Sequence, residues 1–82
     1  MPIRIQLFAG LADEVGESSL SFDLPEGGFS IRELKIELIK QHPGAERWVR
    51  QSLTSINRTY APDEQTIHDG DEISLIPPLS GG

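Results

Sequence analysis

The chain has 82 residues, 13 acidic and 7 basic side chains, a formal charge of −6 and no cysteine. One domain is the count that this length supports, and the missing cysteine excludes a disulfide framework, a thiolate metal site and a cysteine nucleophile. The negative charge argues against a nucleic-acid partner, which needs a basic footprint, and no run of about 18 apolar residues is present to span a membrane.

Ile, Leu, Val and Phe make up 23 of the 82 residues, above the roughly 20% below which chains fail to build a core. Residues 3–7, Ile-Arg-Ile-Gln-Leu, alternate apolar and polar and predict a half-buried strand. Met1-Pro2-Ile3-Arg4 lacks the basic-then-apolar order of a signal peptide, and with the cysteine-free composition this suits a cytoplasmic location. Leu11 to Gly16 predicts a short helix with Gly16 as its stop. Leu20, Phe22 and Leu24 alternate with Ser19, Ser21 and Asp23 in a second strand, ended by Pro25-Glu26-Gly27-Gly28, which is too short for a phosphate-binding loop.

Ser30-Ile31-Arg32-Glu33 has the form of a capping box, and the spacing of Ile31, Leu34, Leu38 and Ile39 predicts a helix over 31–41. His42-Pro43-Gly44 stops it. A short turn from Ala45 to Arg50 carries the single tryptophan, Trp48, read as core packing. Leu53 to Asn57 predicts a strand with Ile56 pointing inward and a turn at Asn57-Arg58. Residues 60–64 read as irregular. His68-Asp69-Gly70-Asp71 has turn composition, Glu72 to Leu75 alternates as a last strand, and Pro77-Pro78 ends it. The expected class is α+β, with a mixed sheet of four or five strands and one main helix across one face.

Catalytic constellations are scarce. His42 and His68 are the two imidazoles, and neither has a nucleophile pattern beside it. Asp69-Gly70-Asp71-Glu72 is too compact for a calcium loop, so no metal site is expected. Charge is uneven: net −4 over residues 1–31, +3 over 32–58 and −5 over 59–82. Such an acidic last third suggests a field that steers that end of the molecule toward a basic partner.

The remaining feature is the C-terminal run Ile76-Pro77-Pro78-Leu79-Ser80-Gly81-Gly82. The prolines fix φ and launch an extended, flexible tail over 77–82 from a domain over 1–76. Six residues reach roughly 20 Å at about 3.3 Å each. Gly81 and Gly82 lack a Cβ and suit a narrow cleft. The group at the tip is the Gly82 carboxylate, a poor electrophile that becomes a good one as an acyl-adenylate.

Across its whole length the chain resembles the MoaD/ThiS family of ubiquitin-like sulfur carriers. The resemblance rests on Ile5-Gln6-Leu7-Phe8-Ala9, Asn57 after Ile56, Asp69-Gly70-Asp71-Glu72-Ile73 and Pro77-Pro78-Leu79-Ser80-Gly81-Gly82. The Pro-Pro step is most similar to the branch that serves molybdopterin synthase. The resemblance implies a β-grasp fold. It implies a non-catalytic small subunit whose Gly82 is adenylated, with ATP, by an E1-like, MoeB-type adenylyltransferase. A sulfur-donor enzyme then converts Gly82 to a thiocarboxylate. The tail enters a large, MoaE-type subunit, in a heterotetramer, and gives sulfur to cyclic pyranopterin monophosphate in molybdenum cofactor biosynthesis. The chain itself is expected to bind no cofactor. Phe8, Tyr60 and Ile76 fall where the family has partner contacts, with Ile76 standing where an aromatic is common. A thiamine or cysteine pathway, a protein modifier conjugated through Gly82, and an interaction module with an incidental Gly-Gly end remain as alternatives.

Overall fold

The alternation over residues 3–7 becomes β1 (Ile3–Leu7), which buries Ile3, Ile5 and Leu7 and turns Arg4 and Gln6 to the other face. The computed structural model describes residues 2–78. α1 (Ala9–Val15) buries Leu11 and ends at Gly16, whose φ of 89° is the left-handed stop that the sequence predicts. β2 (Ser19–Phe22) returns antiparallel to β1.

A two-residue strand, β3 (Phe29–Ser30), leads into α2 (Ile31–Gln41). The capping box closes as expected. The Ser30 hydroxyl oxygen accepts from the Glu33 N–H at 3.2 Å, and Glu33 Oε1 accepts from the Ser30 N–H at 3.0 Å. α2 buries Ile31, Leu34 and Leu38.

Residues 45–50 correct the expectation of a turn. A 3₁₀ segment, Pro43–Ala45, runs straight into α3 (Glu46–Gln51), which buries Val49. Pro43 supplies a helical φ at the start, and Ala45 and Val49 lie four apart on one face toward the core. Arg50 and Glu46 pair across one turn at 2.7 Å. Trp48 is half-buried against the core, as read from the sequence. Its ring lies over Gly10 of α1, so close that a Cβ built on Gly10 would stand 2.6 Å from Cζ2 and 2.7 Å from Cζ3.

The remaining strands are β4 (Leu53–Ile56), β5 (Thr59–Tyr60), β6 (Thr66–Ile67) and β7 (Glu72–Ile76). Five of the seven form one sheet in the order β2-β1-β7-β4-β5, with β1 and β7 parallel and the other neighbours antiparallel. α2 packs across one face of this sheet over Ile3, Ile5, Leu7, Ile73 and Leu75. This is the α+β, β-grasp arrangement expected, with five strands in the main sheet. A second ladder pairs β3 with β6 and was not predicted. It places Phe29 against Phe22, ring centroids 5.5 Å apart and nearly parallel, and so closes the core beyond the sheet edge.

Asn57 and Arg58 turn β4 into β5 with both residues at positive φ, 50° and 72°. Two successive left-handed residues make a type I′ hairpin, whose second position favours glycine. Arginine there carries strain of about 1 kcal/mol. Arg58→Gly is expected to raise the melting temperature by about 4 °C, and a scan showing no rise would count against strain at this turn.

Candidate partner-binding face and tail exit

β7 is the central strand, held by β1 on one side and β4 on the other. Its last residue, Ile76, pairs with Leu53. Pro77 follows, fully buried, and Pro78 is exposed. A proline has no N–H to extend a ladder, so pairing stops here. Leu79, Ser80, Gly81 and Gly82 lie outside the described residues.

One face of the sheet is covered by helices and the other is open. The registers assign the open face rung by rung. The middle rung is Ser19, Gln6, Ser74, Ser55 and Tyr60. Toward the start of β7 comes a rung of Ser21, Arg4 and Glu72. Toward its end come Ile76 and Leu53. Phe8 joins them: its backbone is extended at φ −128° and ψ 157°, and it follows Leu7, which pairs with Leu75, so it comes abreast of Ile76. The open face is therefore graded from charged, through hydroxyl and amide, to apolar where the tail leaves.

The three contact residues expected from the sequence share this face. Phe8 is 43% exposed and Tyr60 70%, and Ile76 is half-buried between them. Phe8 and Ile76 stand side by side, whereas Tyr60 lies one rung away on the edge strand. Leu53, 60% exposed and directly opposite Ile76, joins this face beyond the three residues that the resemblance implies. A signal was present: with Ile56 inward, period-2 geometry puts residue 53 on the opposite face.

Tyr60 owes its place to a hydrogen-bonded hub. Asn57 Oδ1 accepts from the Glu72 N–H at 2.9 Å, and Asn57 Nδ2 donates to Asp71 Oδ1 at 3.0 Å. Asp71 Oδ2 accepts from the His68 N–H at 2.8 Å. Asn57 and the Asp-Gly-Asp-Glu run thus tie the β4–β5 turn to the turn that opens β7. They set the register of these two turns. Among the described residues no group of three or more metal-capable side chains converges.

The acidic last third does not sit where its sequence position suggests. Residues 69–72 lie at the start of β7, and the tail leaves from its far end, a strand length of roughly 15 Å away. Asp63 pairs with Lys35 at 2.9 Å and Glu64 with Arg32 at 3.0 Å, so this charge is partly neutralised by α2. The expectation that it steers the tail end loses its spatial basis.

A model of the ThiS family matches residues 5–82. The chain belongs to the ThiS family. This ThiS family chain is 31% identical over 84 residues to the "Molybdopterin synthase sulfur carrier subunit" of Chlamydomonas reinhardtii, with 100% of both chains covered. Among solved structures it is similar to SAMP1 from Haloferax volcanii, with a TM-score of 0.85, 27% identity and full coverage of both chains. It also shares its fold with a chain of the complex of subunits 1 and 2 of molybdopterin-converting factor from Helicobacter pylori, at a TM-score of 0.70 and 22% identity with both chains fully covered. No helix among the described residues of this ThiS family chain is long and apolar enough to cross a membrane.

Proposed function

We propose that this chain is the sulfur-carrier subunit of a cytoplasmic molybdopterin synthase. The observation that carries the reading is the end-to-end match to the Chlamydomonas protein of that name. In this reading a Gly82 carboxylate oxygen attacks the α-phosphorus of ATP on an E1-like, MoeB-type adenylyltransferase, and pyrophosphate leaves. The terminal sulfur of a persulfide on a donor enzyme then attacks the acyl carbon and AMP leaves; a thiol attacks the donor's sulfur in the resulting acyl disulfide, the S–S bond breaks with formation of a new disulfide, and Gly82 is released as the thiocarboxylate. The tail beyond the buried Pro77, with Pro78, Leu79, Ser80 and Gly81 as its stem, enters a large, MoaE-type subunit. There the sulfur passes to cyclic pyranopterin monophosphate, and water restores the carboxylate. The domain's part is to present the tail and to dock through the open face around Phe8, Ile76 and Tyr60. The Helicobacter structure, a complex of subunits 1 and 2 of molybdopterin-converting factor that contains a chain of this fold, supports a second-subunit partner.

The test is intact-mass spectrometry after incubation with ATP, the adenylyltransferase and a sulfur donor. The expected product is the chain with one oxygen at Gly82 replaced by sulfur, active with the large subunit. A second reading, a modifier joined through Gly82 to lysine amines, is favoured by the likeness to SAMP1. Conjugates of higher mass in place of the thiocarboxylate would select it. Co-purification with a thiazole synthase in place of the large subunit would select a thiamine carrier.

A further inference from the structure

We infer that Leu53 is an anchor of the interface with the large subunit, seated beside the point where the tail leaves the sheet; this rests on the function proposed above. Among the described residues four large hydrophobics stand exposed: Phe8, Ile36, Leu53 and Tyr60. Single exposed hydrophobics are ordinary on any surface. Ile36 is such a case, on α2. The other three share the open sheet face: Leu53 pairs with Ile76 across β4 and β7, and Phe8, one residue past the end of β1, continues that row by register.

Strand β4 distributes its side chains against the needs of the isolated fold. Leu53 is 60% exposed, while Thr54 and Ser55 are 4% and 7% exposed. The Thr54 hydroxyl has no hydrogen-bond partner among the described residues. An aliphatic residue at 54 and a polar one at 53 would suit the free domain better, since burial favours the aliphatic group and an unpaired buried hydroxyl is costly. Thr54, opposite the buried Leu75, faces the covered side of the sheet, so the part of this arrangement that an assembly relieves is the exposure of Leu53. What covers Leu53 follows from position. The row adjoins Pro77, so a protein that encloses the tail passes over Leu53 and Ile76. No residue of the row or of the adjoining middle rung carries a charge, so the covering surface is apolar and the contact does not depend on ion pairs. The large subunit, which takes up the tail for sulfur transfer, meets both conditions.

The experiment titrates the full chain, Leu53→Ala and Phe8→Ala against the purified large subunit of molybdopterin synthase by calorimetry, with melting temperatures and sulfur loading of Gly82 measured alongside. Leu53→Ala is expected to weaken Kd about tenfold, the equivalent of the apolar surface it removes. Its melting temperature should stay put, as for other exposed sites. A Kd within about twofold of the parent, while Phe8→Ala weakens binding, would overturn the role of Leu53 and leave the proposed function standing. Unchanged binding in both variants would overturn docking through this face, and normal sulfur loading in that case would still support the carrier reading. A marked fall in melting temperature for Leu53→Ala would make the residue structural and overturn the inference.

Discussion

Deletion of Gly82 is expected to abolish sulfur loading and to leave the melting temperature unchanged. The deletion keeps a glycine and a free carboxylate at the end of the chain, so the reacting group is chemically the same. What changes is reach. One residue fewer withdraws the carboxylate by about 3.5 Å, and displacements of even about 1 Å at a reacting centre cost on the order of a hundredfold in rate. Stability should not follow, because the core is made by residues from Ile3 to Leu75 and the last buried side chain described is Pro77. Intact mass after the loading reaction reads the first effect and a thermal scan reads the second. Normal loading of the shortened chain would refute the role of Gly82. A lowered melting temperature would show that the end of the chain packs on the domain.

Gly10→Ala is expected to lower the melting temperature by about 10 °C, a loss of roughly 2 kcal/mol in a domain this small. Within a helix alanine is favoured over glycine by up to about 1 kcal/mol, and Gly10, the second residue of α1, would gain part of that. Here the added methyl group would fall within the Trp48 ring, 2.6 Å from Cζ2. The ring must move, and overpacking of this kind costs about 1–3 kcal/mol or more. Trp48 is the single tryptophan, so its fluorescence reports the displacement directly as a shift to longer wavelength in the folded state. Gly10→Ala combined with Trp48→Leu should recover much of the loss. A higher melting temperature for Gly10→Ala alone would show that the ring does not hold that space.

The elements legible in the sequence are those whose signal is local. Alternation over residues 3–7, the Ser30–Glu33 box and the glycine at 16 each decide their own geometry. The elements that were missed depend on distant partners. β3 and β6 are two residues each and pair Phe29 with Ile67, far too short to show a period and separated in the chain by α2, α3, β4 and β5. The N-cap of α3 is Ala45, which offers no side-chain cap, so the start of that helix carries no polar signature. The closeness of Gly10 to Trp48 was invisible for the same reason: it arises where α1 meets α3. At the candidate site, Phe8, Tyr60 and Ile76 were placed by resemblance and do share a face. Leu-Thr-Ser-Ile has apolar residues at both ends and no alternation of its own, so Leu53 is marked as outward only through the inward Ile56 three residues on.

The central place of β7 has a mechanical consequence. The strand that carries the tail is laddered through four residue pairs to β1 and four to β4. A partner that pulls on the tail therefore pulls along β7 and loads both ladders in shear, all rungs sharing the force together. An edge strand would peel from its neighbour one rung at a time. The domain behind Pro77 and Pro78 therefore resists such a pull as a rigid stop.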